Sequence, residues 1–394
     1  MVEWKSIGEI SSNVFAGGTP STKHEEYYDG DIPWIRSGEI DFNVITKAER
    51  NITTAGYKNS SAKLIRKGSV VMAMTGATVA KSAIVDFETT ANQSVCAIET
   101  VESIVNYKFV FYSLAKDYFK IRSSAQGALT SLNLAMIKQL QIPIPSLSEQ
   151  QRIVSILDTF TSSISNLKQQ IEERRKQYEY ERNLLLDLEG KEGVEMKKLG
   201  ECVLFITDGD HQPPPKSSEG IPFVTISDIE KLSHTIDFSN TFFVPQEYYN
   251  SLKSDKKAKK GDVLYTVTGS FGIPVLIEDN REFCFQRHIA LIRPNNTIAL
   301  SRYIYHWLCS NYAKKQGEEK ASGGAQKTVS LNSLRSFRFY YPPLQAQSRI
   351  VSILDTFEQS ISNLEEQLAM REKQYEYYRN QLLTFEGEEE RGKT

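Results

Sequence analysis

The side chains with most to offer chemically lie in polar, glycine-punctuated stretches between short apolar runs. In the first half of the chain these are Gly17-Gly18-Thr19-Pro20-Ser21-Thr22-Lys23, Arg36-Ser37, Thr75-Gly76-Ala77-Thr78, Lys81, Asn92-Gln93 and Ser123-Ser124-Ala125-Gln126. The second half offers Asp208-Gly209-Asp210-His211-Gln212, Lys216, Thr268-Gly269-Ser270-Phe271, Gln286-Arg287-His288 and the run from Lys320 to Lys327. Asparagine and glutamine can pair through two hydrogen bonds with adenine, and arginine with guanine. Lysine, serine, threonine and glycine N–H groups suit phosphate oxygens. The chemistry on offer is recognition by hydrogen bonding, with Thr19, Ser21, Lys23, Arg36, Thr75, Thr78, Lys81, Gln93 and Gln126 as the first set of candidates. His211, Gln212, Lys216, Thr268, Ser270, Gln286, Arg287 and Lys327 form the second. Taken singly, each also has an ordinary reading as a surface loop residue. The lysines at 253, 256, 257, 259 and 260 are read first as a solvated loop and second as phosphate contacts.

The parts that bond-making chemistry needs are not spelled out. The Pro-Pro pairs, Pro213-Pro214-Pro215 and Pro342-Pro343, have no acidic or amide residue directly before and no aromatic directly after. They are not the loop of an adenine methyltransferase. Gly76-Ala-Thr-Val-Ala-Lys81-Ser82 lacks the second glycine and one residue of a phosphate loop. The five histidines are far apart and give no HExxH. No metal site and no catalytic residue is expected.

Composition agrees with a binder that is not globally basic. The net charge is −2, so any nucleic-acid contact must come from local patches. Cys96, Cys202, Cys284 and Cys309 are widely spaced without a CxxC, which fits a reducing cytoplasm and excludes a disulfide framework. Neither an apolar signal core nor a run of about 18 apolar residues is present, so a cytoplasmic chain without membrane contact is expected.

The elements that must position the loops are given by an internal repeat. Arg152-Ile-Val-Ser-Ile-Leu-Asp-Thr-Phe160 recurs letter for letter as Arg349 to Phe357, an offset of 197 residues. The match continues at Ser163 to Leu167 against Ser360 to Leu364, and at Lys176 to Tyr180 against Lys373 to Tyr377. The segments in front correspond loosely, as in Ile32-Pro33-Trp34-Ile35 against Ile221-Pro222-Phe223-Val224. The order is variable, constant, variable, constant. Apolar residues of the first constant segment fall at Ile153, Leu157, Phe160, Ile164 and Leu167, and in the second at Ile350, Leu354, Phe357, Ile361 and Leu364. Steps of four and three make a heptad seam. A helix of about 43 residues, roughly 64 Å long, is expected in each copy. Ser146 and Glu149 read as a capping box at its start, with Gly190 and Gly387 as caps at the ends. Such a stripe must be covered, either by the other copy running antiparallel, which would relate the two variable segments by a pseudo-twofold axis, or by a second chain. The variable segments read as mixed α/β, with strands at Ser69–Met74, Ser82–Val85, Asp262–Val267 and Pro274–Ile277 and a helix at about 107–121 and about 302–315.

Together these pieces resemble the specificity subunits of bacterial type I restriction–modification systems. Gly17-Gly-Thr-Pro20 followed by Gly30-Asp-Ile-Pro-Trp34 looks like the opening of a target recognition domain, as does Asp208-Gly-Asp-His211 followed by Gly220-Ile-Pro-Phe223. Pro145 to Gln150 and Pro342 to Gln347, each opening a long helix, look like the family's conserved regions. Ala346 and Pro343 replace Glu149 and Ser146, so the capping box is lost in the second copy. The resemblance implies an α+β chain with two target recognition domains, at 1–145 and 191–342, separated by long helices at 146–190 and 343–387, and an acidic tail at 388–394. It implies a non-catalytic subunit that reads a split, asymmetric site on double-stranded DNA, uses the helix pair as a spacer and docks two methyltransferase subunits. Those partners would bind S-adenosylmethionine and methylate adenine N6, and restriction subunits would join the complex. No cofactor is expected in this chain. The competing readings are a stand-alone DNA-binding regulator, a coiled-coil scaffold and an enzyme with an unrecognised site.

Overall fold

The computed structural model describes residues 2–125, 131–211, 214–324 and 326–385. They form two compact units. The first comprises residues 1–167 and 367–394, the second residues 168–366. Each long helix therefore gives its first half to one unit and its second half to the other. The helices span Leu147–Leu186 and Leu344–Leu382.

The first unit is built on a five-stranded sheet in the order Ser11–Ala16, Val95–Thr100, Val70–Ala73, Ser82–Val85 and Val44–Ile45. Val70-Val-Met-Ala73 shows no polar alternation because both faces of its sheet are covered. Val70 and Met72 face a cluster containing Phe109, Ile153 and Leu157, while Val71 and Ala73 face one containing Phe15, Ile35 and Ala97. A three-stranded sheet of Arg50–Ile52, Tyr28–Ile35 and Thr90–Ala91 lies beyond. The second unit repeats the plan with Val203–Asp208, Ile289–Pro294, Val263–Thr266 and Pro274–Leu276 in that order. Val263 and Tyr265 face the long helices, and Leu264 faces the opposite cluster. In both units a two-stranded pair, Glu3–Ser6 with Gln141–Ile144 and Glu195–Lys198 with Arg338–Tyr341, closes the segment just before a long helix begins.

The seam is covered within each unit by the other long helix. In the first, Ile153 and Leu157 share a core with Leu383, and Phe160 stacks on Tyr378 at 5.3 Å. In the second, Ile350 and Leu354 share a core with Leu186, and Phe357 stacks on Tyr178 at 6.1 Å. The start of one helix meets the end of the other in both cases, so the pairs run antiparallel. Ile164, Leu167, Ile361 and Leu364 are half-buried, as a two-helix seam leaves them.

Local differences from the expected elements have identifiable causes. The expected helix at 107–121 is two helices, Tyr107–Lys116 and Tyr118–Ser124, joined at Asp117. Its counterpart is Ser301–Leu308 and Asn311–Lys320, interrupted because the Ser310 hydroxyl caps the N–H of Ala313. The capping box at 146–149 forms by half. Ser146 Oγ accepts from the Glu149 N–H at 3.3 Å, but the Glu149 carboxylate turns to Arg152 at 2.6 and 2.8 Å. The first long helix ends at Leu186, where Leu186 and Leu188 turn into the core. Gly190, at φ +70°, serves the turn that follows. Gly387 lies outside the described residues.

A candidate nucleic-acid interface built twice

Two identical fastenings hold each recognition segment to its long helix. Gln150 is fully buried, and its Oε1 accepts from the Asn106 N–H at 2.8 Å. Its Nε2 donates to the carbonyls of Pro145 (2.9 Å) and Ile104 (3.2 Å). Gln347 does the same with the Leu300 N–H (2.9 Å), Pro342 (2.8 Å) and Ile298 (3.2 Å). Both glutamines thus satisfy backbone groups at the start of a helix that leads away from the sheet. About two turns further along the helix, Asp158 takes Lys108 Nζ at 2.6 Å and the Tyr112 hydroxyl at 2.7 Å. Asp355, its repeat counterpart, takes Arg302 Nε at 2.8 Å and His306 Nε2 at 2.7 Å. The acid is constant while its partners differ, because the acid belongs to the repeated helix and the partners to the divergent segment.

His306, Asp355 and Glu358 come close enough to suggest a metal site. Arg302 already bridges Asp355 and Glu358, the latter at 2.9 Å. The guanidinium supplies the positive charge that a cation would bring, so the group is read as an anchor. Burial raises the Asp355 carboxyl, but hydrogen bonds from His306 and Arg302 outweigh it and hold the group below the ordinary value of 3.8. A lowered folded-state value means a stabilising contribution that is complete above about pH 4 and fades as pH falls further. Asp355→Asn should therefore lower the urea midpoint of the second unit at pH 7, and the difference between pH 7 and pH 3 should shrink.

The candidate recognition loops converge by backbone hydrogen bonds, in the same way in both units. In the first, the Gly17 N–H donates to Val95 O (3.0 Å) and the Gly18 N–H to Ala91 O (2.8 Å). Met74 then bonds Ser94 O and Leu132 bonds Met74 O, both at 2.8 Å. The loops at 17–23, 74–78, 92–94 and 131–132 thus share one end of the sheet. In the second, Gly209 bonds Ile289 O (3.3 Å), Asp210 bonds Phe285 O (3.0 Å) and Arg287 bonds Asp210 O (3.0 Å). Val267 reaches His288 O and Val329 reaches Val267 O, both at 2.8 Å. Glycine is required where the first loop crosses the strand end. A Cβ on Gly17 would lie 2.3 Å from Ala91 O, and one on Gly209 would lie 2.0 Å from Phe285 O.

This junction brings together Thr19, Thr75 and Gln93 in the first unit, and the Thr19 hydroxyl donates to the Gln93 side-chain oxygen. Ser21 and Lys23 are exposed on the same loop. Arg36 follows the neighbouring strand end and pairs with Glu49 at 2.5 Å. Thr78 and Lys81 are tied to Ser37 O and to Asp41, on the far side of the hairpin. In the second unit His211, Ser270, Gln286, Arg287 and Lys327 line the junction. His211 Nε2 lies 2.9 Å from Asp208 Oδ2. Burial and the adjacent Arg287 guanidinium lower His288, and its Nε2 receives Arg287 Nε at 3.3 Å. Thr268 is buried beneath, its hydroxyl met by that of Thr328 at 3.3 Å. Lys216 stands apart, over the Phe242 ring at 4.8 Å. Gln126 and Gln212 lie outside the described residues.

Two residues support the second junction, one of them, Lys256, in the lysine run named from sequence and the other, Tyr248, not singled out there. The Tyr248 hydroxyl donates to Asp210, and Lys256 Nζ donates to Gly209 O at 3.0 Å. Lys256 belongs to the basic run read first as a solvated loop and second as phosphate contacts, and the run's approach to Gly209 depends on chain folding that spacing does not encode. Among the described residues, no helix is long and apolar enough to cross a membrane.

Comparison with known proteins follows the same layout. The family described as type I restriction modification DNA specificity domain matches residues 1–174 and 191–370. A Haemophilus influenzae chain provisionally named a type I restriction enzyme specificity subunit is 29% identical over 98% of this chain and 96% of its own length. The EcoR124I/EcoR124II specificity subunit of Escherichia coli is 35% identical over 49% of this chain and 50% of its own. A crystal structure of the type I restriction–modification S subunit from M. genitalium superposes with a TM-score of 0.60 at 16% identity, covering 98% of this chain and 96% of that one, a likeness of fold.

Proposed function

The chain belongs to the family of type I restriction–modification DNA specificity proteins, and we propose that each of its two units reads one half of a split, asymmetric site for partner methyltransferase subunits. The observation that carries this reading is the duplicated junction, in which one backbone framework presents different side chains. Thr19 and Gln93 stand in one unit where His211, Gln286 and Arg287 stand in the other. Equal frameworks with unequal contacts give two different short blocks of sequence. The two helices of 40 and 39 residues, each shared between the units, support a role as the spacer between those blocks. Half-site spacing in other DNA binders is likewise set by protein geometry. S-adenosylmethionine, base flipping and methyl transfer to adenine N6 belong to the partners in this reading. Restriction subunits act through the assembled complex, and this chain contributes no catalytic group.

The test is a double substitution, Gln286→Ala with Arg287→Ala, in the chain expressed with its cognate methyltransferase. A lost bidentate base contact costs about 1–3 kcal/mol of discrimination, on the order of 10- to 100-fold. One block of the methylated motif should become degenerate while the other stays unchanged. Loss of discrimination in both blocks alike, or in neither, would count against the assignment.

A further inference from the structure

Backbone hydrogen bonds set the two junctions in register more securely than letters do. In the first unit the Asn92 N–H donates to Ile35 O (3.0 Å) and the Val95 N–H to Asn92 O (3.1 Å), while Ser94 O accepts from the Met74 N–H (2.8 Å). In the second the Gln286 N–H donates to Val224 O (3.1 Å) and the Ile289 N–H to Gln286 O (3.0 Å), while His288 O accepts from the Val267 N–H (2.8 Å). The chain therefore makes the same turn twice, at 92–95 and at 286–289. Gln93 falls on Arg287 in this register, not on Gln286, the residue that a match by letters would choose. Both Gln93 and Arg287 lead the two-residue tip of their turn, and both are exposed.

The two side chains share one property. Each ends in a planar group that can make two parallel hydrogen bonds to one base edge, glutamine with N6 and N7 of adenine and arginine with O6 and N7 of guanine. Each is also oriented by one neighbour. The Thr19 hydroxyl donates to Gln93 Oε1, which settles where the amide oxygen lies and leaves both amide N–H groups and one oxygen lone pair free. Arg287 Nε donates to His288 Nε2 at 3.3 Å, which fixes the guanidinium plane and leaves its two terminal nitrogens as a fork. Nε2 accepts only in the neutral ring, and burial together with the Arg287 charge disfavours protonation of His288. Among the described residues no carboxylate pairs with Arg287, whereas Arg36 in the first unit is held by Glu49. A phosphate contact needs a charge or a small donor at this place. Exchanging glutamine for arginine instead keeps the two-point geometry and changes the base that fits it.

We propose that Gln93 and Arg287 are the equivalent base-reading residues of the two units, Gln93 fixing one A·T pair in its block and Arg287 one G·C pair in the other. Thr19 and His288 are the positioning residues that aim them. The inference rests on the proposed function and adds to it which side chain reads which base. It also explains how one framework yields two unlike blocks: the turn is kept, and the residue at its tip changes.

The experiment expresses the full chain with its cognate methyltransferase, maps the methylated motif, and assays the purified complex on duplexes changed one base pair at a time. Arg287→Gln should exchange one G·C position of one block for A·T, and Gln93→Arg should exchange one A·T position of the other block for G·C. Each preference should move by on the order of 10- to 100-fold. Thr19→Val and His288→Phe keep the readers and should relax those same positions alone. Thr19→Ser and His288→Gln restore a hydroxyl and an acceptor and should keep the positions sharp. Exchange variants that keep the wild-type base at every position overturn the assignment. Should an exchange variant methylate nothing, the positioning variants decide. Relaxation confined to one position supports the assignment, and uniform loss on every duplex, as a phosphate contact gives, overturns it. Methylation that does not depend on the wild-type chain overturns instead the functional reading beneath it.

Discussion

Replacing Gln150 or Gln347 with leucine is expected to destabilise the unit concerned by about 3–5 kcal/mol, enough to unfold a marginal domain. Each glutamine is fully buried and satisfies three backbone groups at once. Leucine fills similar volume but leaves the N–H of Asn106 or Leu300 and two carbonyls without their partner. Each unsatisfied buried group costs about 1–3 kcal/mol, and partial relaxation keeps the sum below the maximum. Glutamic acid should be at least as damaging, since a carboxylate can accept the N–H but meets the two carbonyls as a repulsive pair. Urea denaturation followed through Trp34 for the first unit and Trp307 for the second measures this directly, because both indoles are buried in their units. Wild-type stability in both leucine variants would show that these fastenings are dispensable.

Gly209→Val should abolish recognition through the second unit, with a fall of on the order of 100-fold or more in methylation of the cognate site, while the first unit remains folded. A Cβ there would lie 2.0 Å from Phe285 O and 2.6 Å from the Gln286 backbone. Neither is a flexible side-chain tip, so the loop at 208–211 must lift away from 285–288. That displacement separates His211 from Gln286 and Arg287 and breaks the Lys256 and Tyr248 supports. Misplacement by about 1 Å is enough to cost 100-fold where geometry sets the outcome. Gly17→Val is the matching test in the first unit, where the clash is 2.3 Å with Ala91 O. Methylation at the wild-type level in either variant would mean that the junction does not read DNA.

Much of this architecture was legible because it is written twice. The seam from Ile153 to Leu167 and from Ile350 to Leu364 follows from heptad spacing, and each long helix lies within a few residues of its expected bounds. The strands around Val70 and Val263 follow from short β-branched runs bounded by turn residues. What escaped depends on tertiary contact. The break at Ser310 reflects a local cap that outweighs continued periodicity, and the helix end at Leu186 reflects the burial of Leu188. Gln150 and Gln347 carried a signal, since both stand in the Pro-to-Gln segments quoted for the resemblance, but identity alone does not tell a clamp from a contact. Asp158 and Asp355 stand in the repeated Arg-to-Phe stretch, but the partners they take lie in the divergent segments and meet them only through tertiary folding. Of the candidate recognition residues, Thr19 meets Gln93 in the first unit, and the 208–211 loop meets Gln286 and Arg287 in the second, because glycines at 17 and 209 let the loops cross. Thr78, Lys81 and Lys216 take partners that spacing does not encode, Ser37 O, Asp41 and the Phe242 ring.

The measurement that bears most directly on the central claim is genome-wide adenine methylation in cells that express the cognate methyltransferase, with and without this chain. The expected result is a motif of two short blocks at fixed spacing that appears only when the chain is present. Inserting four residues into both long helices should then change that spacing or abolish methylation. Methylation that is the same with and without the chain would contradict the account and point instead to a DNA-binding regulator that acts alone.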